Sequence, residues 1–238
     1  MASSEDDDAL RPGERTRAHL AIAAALAAVA GCVDAVFFGR IAEVFPANQS
    51  GNAVLLGIGI GDGRAGEAWR PAVAIVGFGL GVTAAVVMRS RIRQRRRAPM
   101  LIAVEFAFLA PIAVVLVGTP RPADELAGGA SGILLIATAI SMGIQTEVIG
   151  RVAGVSVATT YQSGAIARIG ELAAQRNRTV ALPGLAVLGV VLGGYVTGAA
   201  LGAATADWGG TLLVPLAVLA LLAITLTIVE SRSPSFVV

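Results

Sequence analysis

The sequence predicts an all-α polytopic membrane protein with six transmembrane helices and two broken or re-entrant segments, built as two inverted three-helix repeats. Three observations predict this fold class. Hydrophobic residues make up 55% of the 238 positions and charged residues only 14%, whereas soluble domains carry about 25% charged residues. Apolar runs of about 18 residues or more recur along the chain, as bilayer-spanning helices require. The two halves also share glycine, proline and serine positions at a nearly constant separation.

The predicted elements follow in chain order. Residues 1–18 are polar and open with an acidic run, which predicts a disordered tail. Residues 19–118 form the first membrane repeat and residues 129–230 the second. Each repeat also contains one segment, 41–61 or 155–174, in which polar residues and glycines interrupt the apolar pattern. The six continuous spans are predicted at residues 20–38, 71–88, 99–118, 129–149, 182–204 and 212–229.

The arginines predict the orientation of these spans. With six spans and a cytoplasmic N-terminus, fourteen of the 18 cationic residues lie on the inner side of the membrane and four on the outer side. Cytoplasmic loops collect positive charge, so both termini are predicted to be cytoplasmic. Trp69 and Trp208 then lie at the outer interface, where tryptophan is favoured.

Missing residue types exclude several functions. The chain has one cysteine, Cys32, one histidine, His19, and no lysine. A disulfide, a cysteine metal site and lysine chemistry are therefore excluded, and neither a metal nor a cofactor is expected. The net charge of +2 gives no reason to expect nucleic-acid binding. Residues 29–32 resemble a lipoprotein signal, but the apolar run continues past Cys32, which favours a span.

Intramembrane catalysis is also not expected. Residues 59–62 match the short Gly-x-Gly-Asp string of intramembrane aspartyl proteases. The Tyr-Asp partner of that string is missing, however, and Asp62 falls in a predicted outer loop. His19 lies at the edge of the tail and cannot pair with a serine inside the membrane.

The internal repeat relates the two halves by a nearly constant offset along the chain. Three matches define it: Gly31 with Gly143; Ser50-Gly51 with Ser163-Gly164; and Pro71, Gly77 and Gly81 with Pro183, Gly189 and Gly193. Each half carries three spans, and an odd number places the second copy upside down relative to the first. Paired, interrupted segments in such repeats indicate a transporter-type site near the middle of the membrane.

The first broken segment carries most of the candidate site residues. Proline and a polar cluster precede an apolar run, a pattern typical of a helix start. A half-helix that begins inside the membrane would present backbone N–H groups and its positive dipole end to an anion or polar solute. The alternative is an ordinary outer loop whose side chains cap a surface helix. The candidate ligands are Asn48, Gln49, Ser50, Gly51 and Asn52.

The second broken segment leaves two alternatives open. Arg168 and Glu171 are three residues apart on a predicted helix. They form either a buried ion pair in a pathway or part of an amphipathic helix on the inner membrane surface.

Acidic residues within spans are functional candidates because they are costly there. Asp34 ranks first. Glu105 is predicted to be an interfacial partner for the arginines at positions 93–97. Glu147 either mirrors the neighbourhood of Asp34 or lies at the interface.

The motifs resemble those of a known family. The string Gly31-Cys-Val-Asp34-Ala is followed by Phe45-Pro-Ala-Asn48-Gln-Ser50-Gly51-Asn52, and the second half contains Met142-Gly-Ile-Gln145 and Thr159-Thr160-Tyr-Gln-Ser163-Gly164. Both strings resemble the signatures of YoaK-like bacterial membrane proteins, a family of unknown function. Ser50 and Ser163 stand where threonine is usual, and Thr146 stands where asparagine is usual. The resemblance adds Asp34, Gln145, Thr160, Ser163 and Gly164 to the candidate site and implies a bacterial plasma membrane.

The leading functional hypothesis is a small transporter or permease for a small polar solute or anion, with its site at the repeat interface. The alternative is a non-transporting scaffold or regulatory protein. In that case stripes of small residues, such as Gly194, Gly198 and Gly202, would form contacts between copies of the chain.

Overall fold

A computed structural model describes residues 12–118, 129–160 and 162–232. Eight α-helices lie within these ranges, together with a 3₁₀ turn at Gln94–Arg96 and a two-residue hairpin of β1 (Arg151–Val152) with β2 (Val155–Ser156). The helices are α1 (Pro12–Arg40), α2 (Gln49–Gly61), α3 (Ala65–Arg91), α4 (Arg97–Gly118), α5 (Gly129–Thr146), α6 (Ser163–Ala174), α7 (Arg178–Ala204) and α8 (Leu213–Arg232).

Six of these helices cover the six predicted spans. Among the described residues, α1, α3, α4 and α7 are long and apolar enough to cross a membrane, while α5 and α8 are apolar but shorter. Large apolar side chains such as Val114, Ile133 and Leu221 are exposed, as contact with lipid requires. A membrane protein of mainly helical structure is confirmed. The count of six spans stays a prediction.

Two predicted boundaries are wrong. Helix α1 begins at Pro12, so residues 12–18 are helical rather than part of a disordered tail, whose residues 1–11 lie outside the described ranges. A proline at the first helical position and Glu14 in the first turn both favour this start. Helix α5 ends at Thr146 instead of continuing to residue 149, because the next two N–H groups bond to carbonyls three residues back.

Glycines bring α7 against α1 at backbone distance. A Cβ atom on Gly194, Gly198 or Gly202 would collide with the backbone of Ala24, Ala28 or Cys32, respectively. The residue numbers of the glycines and of their contacts on α1 increase together, so the two helices run parallel. The stripe of small residues in α7 therefore serves packing within one chain.

The same arrangement recurs between α3 and α5. A Cβ atom on Gly81 would collide with the backbone carbonyl of Ile140, and one on Gly77 would make a tight contact of 3.1 Å with the carbonyl oxygen of Ile136. These helices are also parallel to each other. The end of α1 lies beside the start of α3 around one pocket that contains Phe38 and Arg70. The α1–α7 pair and the α3–α5 pair therefore run in opposite directions.

The contacts between helices keep their pattern when the two halves are exchanged. The pair α1–α7 becomes α5–α3, α2–α3 becomes α6–α7, α1–α8 becomes α5–α4, and α4–α8 is unchanged. Gly31 of α1 lies against Tyr195 and Ala199 of α7, just as Gly143 of α5 lies against Phe78 and Val82 of α3. By these contacts Tyr195 is the structural counterpart of Phe78, and Ala199 is that of Val82.

The predicted match of Gly77 and Gly81 with Gly189 and Gly193 is therefore wrong. Gly189 and Gly193 face open space, whereas Gly194 and Gly198 make the equivalent contacts. Tyr195 lies about one helical turn further from the start of α7 than Phe78 lies from the start of α3. Helix α7 thus contains about one more turn before the crossing point, and this turn shifts the match.

The two ends of the bundle are marked by ion pairs. Arg40, the last residue of α1, pairs with Asp207, which follows α7. At the opposite end Arg89 of α3 pairs with Glu147, which follows α5. We call these the Arg40 end and the Arg89 end.

Candidate functional site

Asp34 anchors the chain that leads into α2. The backbone N–H of Ala47 donates to Asp34 Oδ1 at 2.7 Å, and the Tyr195 hydroxyl donates to Asp34 Oδ2 at 2.5 Å. Asp34 is 2% exposed. Its oxygens thus hold α1, α7 and the residues before α2 together, which gives Asp34 a positioning role in this structure.

Asn52 fixes the same entry segment from inside α2. Its Oδ1 accepts from the Phe45 N–H at 2.9 Å, and its Nδ2 donates to the Phe45 carbonyl at 2.6 Å and to Gln49 Oε1 at 2.9 Å. The side chain is fully buried. Gly51 faces the Phe45 ring, which a Cβ atom would approach to 2.9 Å. The signature Asn52 and Gly51 therefore shape the turn that starts α2.

The second half repeats this construction with different side chains. Thr146 and Thr160 share a hydrogen bond of 2.7 Å between their hydroxyl oxygens. By the same offsets along the chain as Gly31 with Gly143 and Ser50 with Ser163, these two threonines align with Asp34 and Ala47. Thr146, where the resemblance led us to expect asparagine, ties the end of α5 to the segment before α6.

Gln145 joins the second entry segment to α1. Its Nε2 donates to the Leu26 carbonyl at 3.0 Å and to Thr159 Oγ1 at 3.3 Å. Gln145 and Thr160 are fully buried. The Oε1 atom of Gln145 has no hydrogen-bond partner among the described residues.

A small cavity lies where the two broken segments meet. Its volume is about 150 Å³, and we call it the central cavity; it is lined by Ala47, Gln49, Ser50, Phe78 and Ser163. Phe78 is the middle residue of α3, thirteen positions from either end. The cavity is therefore level with the centre of this long apolar helix.

The two short helices α2 and α6, which we call the half-helices, both begin at the central cavity. Gln49 and Ser50 are the first two residues of α2, and Ser163 is the first residue of α6. Neither N-terminus is capped by a side chain, since neither Asn48 nor Gln162 makes a cap hydrogen bond. Two positive dipole ends thus face one space.

The predicted site residues fall into two groups. The central cavity brings Gln49 and Ser50 together with Ser163, and Asn48 accepts a hydrogen bond from the Ser50 hydroxyl at 2.8 Å. The others do not line it; they are Asp34, Gly51, Asn52, Gln145, Thr160 and Gly164. Phe78 and Tyr195 were missed by the sequence analysis. Tyr195 is the sole tyrosine in an apolar span, and this was the available signal.

The structure tests the predicted roles of the charged residues Arg168, Glu171, Glu147 and Glu105. Arg168 and Glu171 do pair, at 2.5 Å, but their side chains are 53% and 60% exposed, so the buried pathway pair is wrong. Glu147 pairs with Arg89 at 2.6 Å, which favours its interfacial position. Glu105 is fully buried, and neither carboxyl oxygen has a hydrogen-bond partner among the described residues. The predicted pairing of Glu105 with the arginines at positions 93–97 is wrong.

A second, larger pocket lies at the Arg40 end. It has a volume of about 330 Å³ and lies between the end of α1, α2 and the start of α3. Arg64 and Arg70 line it. Arg64 is bonded to Asp62 and Glu67 at 2.6 and 2.9 Å, so its charge is already balanced. This pocket does not reach the residues of the central cavity.

Comparisons with known proteins identify the family of this chain. The family described as "Protein of unknown function (DUF1275)" matches residues 22–227. The UPF0700 transmembrane protein YoaK of Bacillus subtilis (strain 168) is 30% identical over 144 residues. That match covers 60% of this chain and 62% of YoaK, so it spans less than two thirds of the relative's length. No solved structure matches. The chain belongs to the DUF1275 family and is a YoaK-like membrane protein.

Proposed function

We propose that this protein is a small transporter or permease that binds a small polar solute or anion in the central cavity. In this proposal six helices span the membrane, and the two halves are inverted repeats. The single observation that carries the proposal is that both half-helices, α2 and α6, direct their first residues into one cavity between the repeats.

The pairing of helices supports an inverted repeat. The contacts of Gly31 with α7 recur at Gly143 with α3, and the two glycines lie on helices that run in opposite directions. A two-fold axis in the membrane plane would produce this relationship. Such an axis would pass near the central cavity, because residues of both halves line it.

The lengths of the half-helices support a re-entrant arrangement. Helix α2 has 13 residues and α6 has 12, which corresponds to about 20 and 18 Å, short of a hydrocarbon core of about 30 Å. Helix α2 runs from the cavity towards the Arg40 end, and α6 runs towards the start of α7. Non-helical backbone before each half-helix is tolerated at this depth because it is buried in protein.

The chemistry of the cavity favours an electron-rich solute. Two helix N-termini attract negative charge, and the hydroxyls of Ser50 and Ser163 can donate or accept hydrogen bonds. Among the described residues, no cationic side chain lines the central cavity. Its volume is below the roughly 300–1,000 Å³ of pockets for drug-sized ligands. A monovalent inorganic anion or a small carboxylate matches these features.

Orientation follows from charge. The Arg89 end carries the arginines at positions 89–97, and we propose that it is cytoplasmic. Both termini would then be cytoplasmic, in a bacterial plasma membrane.

Transport by the purified protein tests the proposal. Proteoliposomes would be assayed with a panel of labelled inorganic anions, small carboxylates and neutral polar solutes. We expect uptake of at least one solute above that of protein-free liposomes, and we expect Ser163→Trp to abolish it by filling the cavity. Ser156→Trp is the matched control, since Ser156 lies in β2 and does not line the central cavity. The absence of uptake for every solute, or normal uptake by Ser163→Trp, would contradict the proposal.

A further inference from the structure

Glu105 is a fully buried carboxyl group that does not line the central cavity. It lies on α4, eight residues after Arg97, and thus about 12 Å along the helix from the Arg89 end. The side chain has no exposed surface, and both Oε1 and Oε2 lack hydrogen-bond partners among the described residues. An isolated carboxylate in an apolar interior is costly, so this environment favours the neutral acid.

Within the described ranges, no cation compensates Glu105 from the elements that pack against α4. Helix α5 contains no charged or titratable residue in the sequence that it spans. The charged residues of α8, Glu230 and Arg232, stand at its end, and those of α3 lie in its first two turns and its last turn. The 3₁₀ turn carries Arg95 and Arg96 ahead of the start of α4.

The hydrogen bond that α5 makes with Glu105 involves the backbone carbonyl of Glu105 and not its carboxyl group. Ser141 of α5 donates from Oγ to the backbone carbonyl of Glu105 at 3.3 Å. Arg97, the first residue of α4, donates from Nε to the Ile92 carbonyl at 3.2 Å and does not reach the carboxyl. The carboxyl group is therefore enclosed in the bundle, and among the described residues it has no hydrogen-bond partner for its carboxylate form.

We propose that Glu105 is a reversible proton-binding site, and that the proton is the coupling ion of the transport activity proposed above. The O–H bond of the acid breaks when the packing around Glu105 opens to water, the proton passes to water, and the carboxylate remains until it takes up another proton. Reclosure requires reprotonation, because the closed packing offers the carboxylate no hydrogen-bond donor. The coupling role rests on the proposed function, whereas proton binding does not.

Infrared spectroscopy of the full-length protein in lipid bilayers tests proton binding directly. We expect a carboxylic acid C=O band at neutral pH that is lost in Glu105→Gln and kept in the matched control Glu43→Gln, whose side chain is exposed. The band should shift on transfer to D₂O, which reports exchange of the proton with solvent. A spectrum of Glu105→Gln identical to the wild type, or a band that never shifts in D₂O, would overturn the proposal.

Chemical labelling provides a measurement that needs no variant. Dicyclohexylcarbodiimide enters membranes and reacts with protonated carboxyl groups. We expect the peptide with Glu105 to be modified, and to be modified several-fold faster at acidic than at alkaline pH. An unmodified Glu105 under conditions that label other carboxyl groups of the chain would count against the site.

Transport assays separate coupling from the proposed function itself. With a solute identified in proteoliposomes, an inward proton gradient should accelerate uptake several-fold in the wild type and have no effect in Glu105→Gln, which should retain solute exchange. Equal acceleration in both proteins would overturn the coupling role. If the wild type moves no solute but the infrared band exchanges, the proposed function fails and the proton-binding site stands.

Discussion

The hydroxyl of Tyr195 donates a 2.5 Å hydrogen bond to Asp34, 161 positions earlier in the chain. The other oxygen of this carboxylate accepts from the N–H of Ala47, so one side chain connects α7, α1 and the entry to α2. Ala47 also lines the central cavity, so these hydrogen bonds join α7 and α1 to the wall of that cavity.

Removing the hydrogen bonds of Asp34 should destabilise the segment that leads into α2. Asp34→Ala leaves the buried N–H of Ala47 without an acceptor, and we expect a loss of about 1–3 kcal/mol of folding free energy. Tyr195→Phe should cost less, since it removes one donor and leaves the remaining bonds in place. Thermal unfolding in detergent measures both, with Asp62→Ala in the exposed turn after α2 as the control. Stability of Asp34→Ala equal to that of the control would show that the connection is not stabilising.

The glycines of α7 should tolerate substitution according to the contacts that they make. A methyl group on Gly198 would overlap the backbone of Ala28, which cannot yield without separating α1 from α7. We expect Gly198→Ala to lower the free energy of unfolding by about 1–3 kcal/mol and to reduce the yield of folded protein. Gly193→Ala, five residues earlier, meets open space and should behave as the wild type.

Size-exclusion profiles and thermal unfolding of the two variants check this prediction. Equal loss in both would contradict the prediction, because helix propensity favours alanine over glycine at both positions and cannot account for a loss of stability. Equal tolerance would mean that α7 does not contact α1 so closely.

The membrane class and the helices could be predicted from sequence because both depend on local composition. Long apolar runs need little tertiary information to be identified as bilayer helices. A short helix after Pro46 was also predictable from local signals, although α2 begins at Gln49, within the polar cluster, and not with the apolar run at Ala53. The tail boundary was missed because polar residues show no apolar period, although Pro12 and Glu14 favoured a helix.

The roles of individual side chains depended on tertiary structure that composition does not encode. Glu105 follows a run of arginines, but the helix turns its carboxyl inward, where none of them reaches it. Asp34 was predicted to be a ligand, and the structure commits its oxygens to backbone and tyrosine donors. The match of Gly77 with Gly189 was wrong because α7 contains about one extra turn before the crossing, and only packing reveals it.

Reporter fusions test the orientation proposed for the bundle. A reporter fused after Arg93, in the loop that precedes α4, should report the cytoplasm, because the surrounding arginines oppose export. A fusion after Asp207, next to Arg40 at the opposite end, should report the outside. The reverse pattern at both sites would overturn the assignment of the Arg89 end to the cytoplasm. The same location at both sites would require an even number of crossings between them, and would contradict the passage of all three helices α4, α5 and α7 across the membrane.

The accessibility of cysteines tests whether the central cavity is a path for solutes. Cys32 would first be replaced by alanine, which removes the one native thiol. Ser50→Cys and Ser163→Cys then place a thiol on either side of the cavity. We expect small thiol reagents to modify both, because a cavity that admits a small solute admits them too. Bulky, impermeant reagents should be excluded, and a transported solute should slow the modification of both thiols.

Asp62→Cys is the control for this experiment, since Asp62 lies in an exposed turn at the Arg40 end and should react with either reagent. Rapid modification of Ser50→Cys by the bulky reagent from outside, at the rate of the control, would mean that the first broken segment is a surface loop. The start of α2 would then not lie inside the membrane, and the proposal that α2 and α6 enclose a solute would fail. Protection of Ser50→Cys together with free labelling of Ser163→Cys from the cytoplasmic side would instead indicate a cavity open towards the Arg89 end. That result would give the direction from which the solute enters this conformation.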